Sequence, residues 1–275
     1  MKAAVVGHVE WCQFVRVAEV PARGRIVHAQ ETWEEAGGGG AVAAVQLTRL
    51  ADEVVLYSAF GADELGRRAL AELERFGVRV HAQVDEGPQR RALVYLDEGG
   101  ERTITVLGEK LRPRVRGPVL PWEELRGCDA VYFVSGDAGA AKAARKGGVL
   151  VATARDLGTL KEAAVELDAL VASGEDEGER YQAGDLEPAP KLVITTAGAL
   201  GGWAQPGGPY RAAPVSAPIE DTYGCGDSFA VGLTIGLARG LDAPEAIELG
   251  AQCGAEALTR RGAHGLASPP AGGSG

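Results

Sequence analysis

The stretch Ile219-Glu220-Asp221-Thr222-Tyr223-Gly224-Cys225-Gly226-Asp227-Ser228-Phe229-Ala230 leads from a turn of small residues into an apolar run that continues to Leu237. Small side chains at 224–226 let consecutive backbone N–H groups approach an anion closely. The apolar run predicts a helix that begins at this turn, and the helix dipole favours negative charge there. Asp227 adds a carboxylate to the same turn. An anion cradle beside a carboxylate suits phosphoryl transfer, because amides stabilise charge on the phosphate while the carboxylate takes a hydroxyl proton.

Short aliphatic segments alternate with helical patterns along the rest of the chain. The predicted buried strands lie at 3–6, 54–58, 130–134, 149–152, 169–172 and 192–195. Helices are predicted at 41–50 and 63–76, the first after a turn of four glycines, 37–40. This alternation is typical of βαβ units and predicts an α/β fold with a doubly wound, mostly parallel sheet.

Two regions break that alternation, 12–33 and 91–107. The first reads as two half-buried strands, 12–20 and 26–33, and the second as a hairpin of 91–96 and 102–107. They predict a small separate β-sheet, whose exposed edge makes a homodimer through this sheet plausible. We expect one domain over 1–267 and a disordered tail over 268–275, which is rich in Pro, Gly and Ser.

Composition and charge narrow the class of protein. Hydrophobic residues make up 45% and charged residues 24% of the 275 residues, as in ordinary soluble domains. A formal net charge of −10 argues against nucleic-acid and anionic-membrane partners. The 4 cysteines are widely separated, which fits a reducing compartment and predicts a cytoplasmic location. The sequence has no apolar stretch of membrane length and no signal-peptide pattern.

The run at 221–227 resembles the signature of the ribokinase-like, PfkB-type carbohydrate kinases, Asp-Thr-x-Gly-Ala-Gly-Asp, with Cys225 in place of the alanine. The stretches 55–66, 99–103 and 195–201 resemble further family passages, so the likeness covers nearly the whole chain. It implies a ribokinase-like fold in which the small sheet is a lid over the acceptor site. It also implies an ATP-dependent kinase that phosphorylates a hydroxyl of a small sugar-like molecule with Mg²⁺.

The resemblance and the local chemistry together assign the catalytic and nucleotide residues. Asp227 is the predicted general base, and the amides of Gly224, Cys225 and Gly226 form the predicted anion hole. In the family, Asp221 lies near the metal and phosphate region, where a monovalent cation such as K⁺ can bind; the plainer interpretation is an acid bonded to local amides. The predicted nucleotide contacts after strand 192–195 and on a late helix are Thr196, Gly198, Gly201 and Gly254.

The magnesium shell and the acceptor pocket match the family less closely. Asp176 or Glu177 is the predicted acid near the magnesium ion, which keeps most of its waters in such sites. The predicted acceptor-binding residues, besides Asp227 itself, are Glu10, Gly38 and Gly39. Two positions where the family has polar acceptor residues carry Val42 and Ala152, and the acid expected after the first strand is either replaced by Glu10 or lost at Cys12. These losses predict an atypical acceptor, less polar than ribose or fructose, with Trp11 either a stacking face for it or part of the lid core.

Other functions fit the sequence less well. Gly38-x-Gly40-x-x-Ala43 loosely matches a dinucleotide fingerprint, but no buried strand precedes it, and no Gly-x-x-x-x-Gly-Lys-Ser/Thr motif of P-loop kinases occurs. Two alternatives stay open: a nucleoside kinase of the same fold, and a non-catalytic member that binds a ligand.

Overall fold

A computed structural model describes residues 1–117 and 119–265, and within them two β-sheets organise the chain. The nine strands of the large sheet are β1 (Lys2–Val6), β4 (Glu53–Gly61), β5 (Arg79–Asp85), β8 (Ala130–Phe133), β9 (Val149–Thr153), β10 (Ala169–Ser173), β11 (Val193–Thr196), β12 (Gly202–Gln205) and β13 (Gly208–Tyr210). The four strands of the small sheet are β2 (Glu10–Arg16), β3 (Glu31–Gly37), β6 (Arg91–Leu96) and β7 (Arg102–Leu107). The α-helices are α1 (Gly39–Leu47), α2 (Glu64–Arg75), α3 (Ala138–Ala144), α4 (Leu157–Ala163), α5 (Cys225–Ala238) and α6 (Ala243–Ala257).

The large sheet has the predicted doubly wound topology. Its strand order is β13-β12-β11-β10-β9-β8-β1-β4-β5, parallel throughout except at β12 and β13. Alternate residues of β1 enter opposite cores: Ala3 and Val5 pack with α1, α2, α5 and α6, whereas Ala4 and Val6 pack with α3 and α4. Because a parallel sheet is covered on both faces, its strands are aliphatic in nearly every position.

The strand order reverses between β1 and β8. From β1 the chain builds outward to β4 and β5 on one side, and it returns at β8 to build toward β13 on the other. At such a switch point the loops beyond the carboxyl ends of the strands diverge and leave a crevice for a ligand. The segments after β1 and after β8 therefore define the place to examine for a binding site.

The small sheet has the order β3-β2-β6-β7 and packs its apolar face on α1 and the segment before α5. Its inward side chains, among them Phe14 and Val94, contact Val42 of α1 and Tyr223, which precedes α5. All six residues of β7 are exposed at the sheet edge.

Several predicted boundaries need correction. The strand predicted at 26–33 lies at Glu31–Gly37, because antiparallel pairing with β2 begins at the pair Arg16–Glu31, whereas Ile26 is 91% exposed. The strand predicted at 12–20 is Glu10–Arg16, and Gly37 closes β3 instead of belonging to the turn. The strands β5, β12 and β13, which lie at the two ends of the large sheet, were not predicted. The tail predicted to be disordered, 268–275, lies outside the described residues. Within the described ranges we find no helix long and apolar enough to cross a membrane.

Candidate active site

The first turn of α5 has the geometry of an anion-binding site. Gly224, at the N-cap, has φ 74°, a left-handed conformation that glycine adopts without strain. A Cβ there would lie 2.7 Å from Cγ1 of Val42, whereas a Cβ on Gly226 would meet nothing within 4 Å. Among the described residues, no side chain caps this helix end. The amides at the start of α5 therefore offer positive partial charge on the open side, toward Gly226.

Asp227 lies in this turn and next to the switch point. It is half-buried, and its Oδ1 accepts a hydrogen bond from the Tyr132 hydroxyl of β8 at 3.4 Å. Burial raises the pKa of Asp227 to about 6, and the nearby charge of Glu179 raises it further, while Arg155 opposes the shift. A carboxyl group with this pKa is ionised at neutral pH and basic enough to accept a proton from a hydroxyl in a reaction.

The glycines predicted to contact the acceptor lie directly beside Asp227. A Cβ on Gly39 would come 2.9 Å from Oδ1 of Asp227, so only a residue without a side chain fits there. Gly38 has φ 81°, and a Cβ on it would lie 3.1 Å from Cγ of Glu10 and 3.2 Å from Cδ2 of His8. The structure thus brings Glu10, Gly38, Gly39 and Asp227 together in one crevice.

Glu10 is buried in this crevice and held by basic neighbours. Its Oε1 lies 2.9 Å from Nε of Arg90 and 3.7 Å from Nε2 of His8. The His8 ring in turn lies 3.1 Å from the Ser135 hydroxyl, which links the segments after β1 and β8. Burial raises the pKa of Glu10, and the charges of Arg90 and Lys110 oppose that shift. The acid predicted after the first strand is therefore present, paired with an arginine.

The positions that depart from the family pattern are packing positions. The Cys12 thiol lies 3.3 Å from the Tyr223 hydroxyl, which accepts a hydrogen bond from the Gly38 amide at 2.8 Å. Val42 packs on Gly224, and Ala152 is fully buried in β9.

Trp11 also belongs to the core. It is 3% exposed, and the Arg68 guanidinium lies 4.3 Å from the centre of its ring. Of the two interpretations of this residue, the structure favours core packing over a stacking face for the acceptor. The crevice beside Glu10 is lined by charged groups, so its surface does not match the expected less polar acceptor.

The predicted magnesium acids follow β10, in and beside a 3-10 turn at Glu177–Glu179. One guanidinium nitrogen of Arg155 lies 2.5 Å from Asp176 and 2.6 Å from Glu179. The Glu177 side chain is 86% exposed and lies 3.5 Å from Arg180. Of the two predicted acids, Asp176 is the one joined through Arg155 to the surroundings of Asp227.

The predicted nucleotide residues lie at the carboxyl end of β11 and on α6. Gly198 begins a 3-10 turn and Gly201 follows it, with φ angles of 51° and 92°. A Cβ on Gly201 would lie 2.1 Å from the Tyr210 carbonyl oxygen. The Thr196 hydroxyl donates to the Ala172 carbonyl at 3.3 Å. Gly254 packs on the start of α5, where a Cβ would come 3.3 Å from the Cys225 carbonyl oxygen.

Asp221 is fully buried and bonded to backbone. One carboxylate oxygen accepts a hydrogen bond from the Tyr223 amide at 2.8 Å, and the other accepts one from the Gly262 amide. Burial raises its pKa to about 6. These bonds fix the chain just before the anion-binding turn, and they match the plainer of the two interpretations offered by the sequence. A role beside a monovalent cation stays a prediction.

Sequence reasoning missed several residues that contact Asp227, Glu10 or His8 or act on them through their charge: His8, Arg90, Lys110, Tyr132, Ser135, Arg155 and Glu179. Most follow a strand of the large sheet at its carboxyl end, which is the signal that could have found them. Their proximity to Asp227 or Glu10 depends on contacts between distant parts of the chain.

Comparisons with known proteins identify the family. The family model for pfkB family carbohydrate kinases matches residues 1–136 and 140–269. The ATP-dependent ribose-1-phosphate kinase of Halopiger xanaduensis is 29% identical over 276 residues, which cover 94% of this chain and 92% of that protein. The chain therefore belongs to the pfkB family of carbohydrate kinases.

Solved structures show the same fold. A ribokinase from Thermotoga maritima has a TM-score of 0.75 and 20% identity, covering 95% of this chain and 94% of the other. An Arabidopsis thaliana ribokinase complexed with ribose and ATP has a TM-score of 0.73 and 20% identity, covering 94% and 93%. The enzyme is thus an ATP-dependent kinase with an alcohol group as acceptor, and it transfers a phosphoryl group to a sugar-like molecule.

Proposed function

We propose that this protein phosphorylates a hydroxyl of a small sugar-like acceptor at the crevice between β1 and β8, with Asp227 as the general base. The observation that carries the proposal is the position of Asp227 between the predicted anion-binding turn and the predicted acceptor turn. Its carboxylate lies in the anion-binding first turn of α5, and it also lies against Gly39 of the acceptor turn. The relatives named above act on ribose or ribose 1-phosphate, which supports a sugar-like acceptor.

The proposed reaction uses each group in a defined way. The acceptor hydroxyl lies against Gly38 and Gly39, and its proton passes to Oδ1 or Oδ2 of Asp227 as its oxygen attacks the γ-phosphorus of ATP. The amides of 224–226 stabilise the negative charge that develops on the transferred phosphoryl group. Packing of the small sheet over the crevice excludes water, which would otherwise compete as acceptor.

The nucleotide and metal sites follow the same edge of the sheet. We place the nucleotide near Thr196, Gly198, Gly201 and Gly254, beyond the anion turn. Asp176 and Glu179 would supply hard carboxylate oxygens to Mg²⁺ and its retained waters, since oxygen is the ligand that this ion prefers. Bound there, Mg²⁺ would neutralise charge on the β- and γ-phosphates. A K⁺ ion near Asp221 and a cytoplasmic location of the protein remain expectations.

Two alternatives receive less support. A nucleoside kinase needs a flat apolar surface for the base, and Trp11, the residue that suggested one, is buried under Arg68. A non-catalytic ligand-binding member would not need a carboxylate with a raised pKa in the anion turn, which Asp227 provides.

The proposal is tested by ADP release from ATP and Mg²⁺ with a panel of sugars, sugar phosphates and nucleosides. We expect turnover with one sugar-like class, reduced by about 10²–10⁴-fold in Asp227→Asn. Glu248→Gln, an equal change of charge on the exposed face of α6, is the matched control and should leave the rate unchanged. Full turnover in Asp227→Asn, or turnover with nucleosides alone, would contradict the proposal.

A further inference from the structure

The segment 108–113 connects the small sheet to the edge of the large sheet where the crevice lies. It leaves β7 beside Arg90, since a Cβ on Gly108 would lie 4.0 Å from Cα of Arg90. It ends at the segment after β8, where the Asp137 amide donates to the Pro113 carbonyl at 3.1 Å. Side chains in the middle of this segment therefore lie between the small sheet and the carboxyl ends of β8 and β9.

Three basic residues meet in this region, and they differ in their partners. Arg90 pairs with Glu10 at 2.9 Å, and Arg112 pairs with Asp156 at 3.2 Å. Lys110 lies on the same segment, between Gly108, which adjoins Arg90, and Arg112, and it is partly buried. In the part of the chain that the structure describes, no carboxylate oxygen lies within 4 Å of the Lys110 ammonium.

The electrostatics show that the Lys110 charge is poorly compensated. Burial lowers the pKa of Lys110, and Arg112 and Arg90 lower it further, against the weaker pull of Asp156 and Glu10. Burial lowers the pKa of His8, and the charges of Lys110, Arg90 and Arg112 lower it further. A partly desolvated ammonium near other positive charges is costly unless an anion joins it.

The position of this cluster beside the acceptor turn identifies what that anion belongs to. The side chains of Glu10 and His8 lie next to Gly38, and the charge of Lys110 lowers the pKa of both. Gly38 adjoins Gly39, which touches Asp227. An acceptor whose hydroxyl reaches Asp227 along Gly39 and Gly38 would therefore have its other end near Arg90 and the segment that carries Lys110.

We propose that the acceptor is a sugar phosphate whose phosphomonoester binds to Lys110, Arg112 and Arg90 while a hydroxyl at its other end reaches Asp227. A phosphomonoester carries about two negative charges and three acceptor oxygens, which match one ammonium and two guanidinium groups better than a single carboxylate does. This inference rests on the proposed function, because it needs Asp227 to be the site of transfer.

The reaction then yields a sugar bisphosphate and ADP. The bond between the γ-phosphorus and the β,γ-bridging oxygen of ATP breaks, and a bond forms from the acceptor hydroxyl oxygen to that phosphorus. The hydroxyl proton goes to Asp227, and the phosphate already present on the sugar stays bound to Lys110 unchanged.

The test compares sugars with and without a phosphate, by ADP release with pentose and hexose monophosphates, the same free sugars, and sugar acids. We expect kcat/KM to be about 100-fold higher for one sugar phosphate than for its free sugar, since hydrogen bonds to charged groups contribute about 1.5–3 kcal/mol. Lys110→Ala should raise the KM for that sugar phosphate by about 10–100-fold and leave the KM for ATP unchanged. Lys110→Arg should retain most of the affinity, and Lys161→Ala, on the exposed face of α4, is the matched control.

Several outcomes would overturn the inference while the kinase function stands. They are equal use of free sugar and sugar phosphate, preference for a sugar acid, or a Lys110→Ala change that raises the KM for ATP instead. If no acceptor supports turnover, the proposed function fails, and calorimetric binding of the sugar phosphates without ATP then decides the site. Binding that Lys110→Ala abolishes would support the phosphate site, and no binding to the parent protein would refute it.

Discussion

Asp227 and Asp221 are two acids only six residues apart whose burial raises the pKa of each to about 6. Their surroundings nevertheless differ. Asp221 is fully buried and uses both oxygens to bind backbone amides. Asp227 is half-buried, and among the described residues its one hydrogen-bond partner is the distant Tyr132 hydroxyl. The first arrangement holds the chain in place, and the second leaves a carboxylate free to exchange a proton.

The pH dependence of the rate separates these two acids. We expect kcat/KM for the acceptor to fall as pH drops through about 6, because Asp227 then becomes protonated and loses its basicity. Glu179→Gln should move this acid limb to lower pH, since the Glu179 charge raises the pKa of Asp227. Glu220→Gln is the matched control, because Glu220 acts on Asp221. If the acid limb moves in Glu220→Gln but not in Glu179→Gln, the titrating group is Asp221 and not Asp227.

The same raised pKa predicts an effect on stability. The folded-state pKa of Asp227, about 6, lies above the ordinary value of 3.8, so the folded protein loses stability as pH rises from 3.8 to 6. Asp227→Asn removes that penalty and should raise the free energy of unfolding at pH above about 7 by about 1–3 kcal/mol. Urea unfolding of both proteins checks this, and the gain should be largely gone near pH 4. A variant less stable than the parent at neutral pH would refute it.

At the scale of elements, the start of α5 joins three parts of the fold. The small sheet contacts the segment before it, where the Thr222 amide donates to the Gly100 carbonyl at 3.0 Å and Arg16 pairs with Glu220 at 2.8 Å. Val42 of α1 packs directly against Gly224. The small sheet and the predicted anion-binding turn are thereby joined by direct contacts.

Two glycine variants in this turn should behave in opposite ways. Gly224→Ala forces an alanine to φ 74° and against Val42, which should destabilise the protein by about 1–2 kcal/mol or more and reduce activity. Gly226→Ala has open space, so the fold should be as stable or slightly more stable, yet the methyl group obstructs the anion cradle. Thermal unfolding and ATP titration distinguish them. A Gly226→Ala enzyme with unchanged ATP affinity and rate would place the phosphates elsewhere.

Elements whose sequence signals lie in neighbouring residues were predicted more accurately than elements whose position depends on distant parts of the chain. The hairpin of β6 and β7 was predicted with its observed bounds, because alternation and a Gly-Gly loop lie in neighbouring residues. The start of β3 was wrong by five residues, since its register depends on the partner strand β2. Asp227 could be found from its motif. Glu179 and Lys110 could not, because their closeness to Asp227 and Glu10 arises from long-range packing.

At the scale of the whole molecule, the open edge of the small sheet is the feature that bears on assembly. β7 lies at this edge, and its side chains Ile104, Val106 and Leu107 are 41%, 42% and 41% exposed. An exposed apolar edge strand favours pairing with another strand. We therefore keep the prediction of a homodimer formed through the small sheet.

The prediction of a dimer can be tested with one charge at this edge. Val106→Lys should convert a dimer to a monomer in light scattering after size exclusion, because a buried lysine at the interface would lack a partner. Val84→Lys is the matched control, since Val84 is 56% exposed on β5 at the edge of the large sheet. A parent protein that is monomeric at high concentration, or a dimer broken by Val84→Lys alone, would contradict the prediction.

The most direct test of the account is the single-turnover rate of phosphoryl transfer in Asp227→Asn, with ATP affinity measured on the same protein. If Asp227 is the base that takes the acceptor proton, the rate should fall by about 10²–10⁴-fold while the Kd for ATP changes by no more than about threefold. A rate equal to that of the parent enzyme would show that another group takes the proton. It would refute the placement of the chemistry at the first turn of α5.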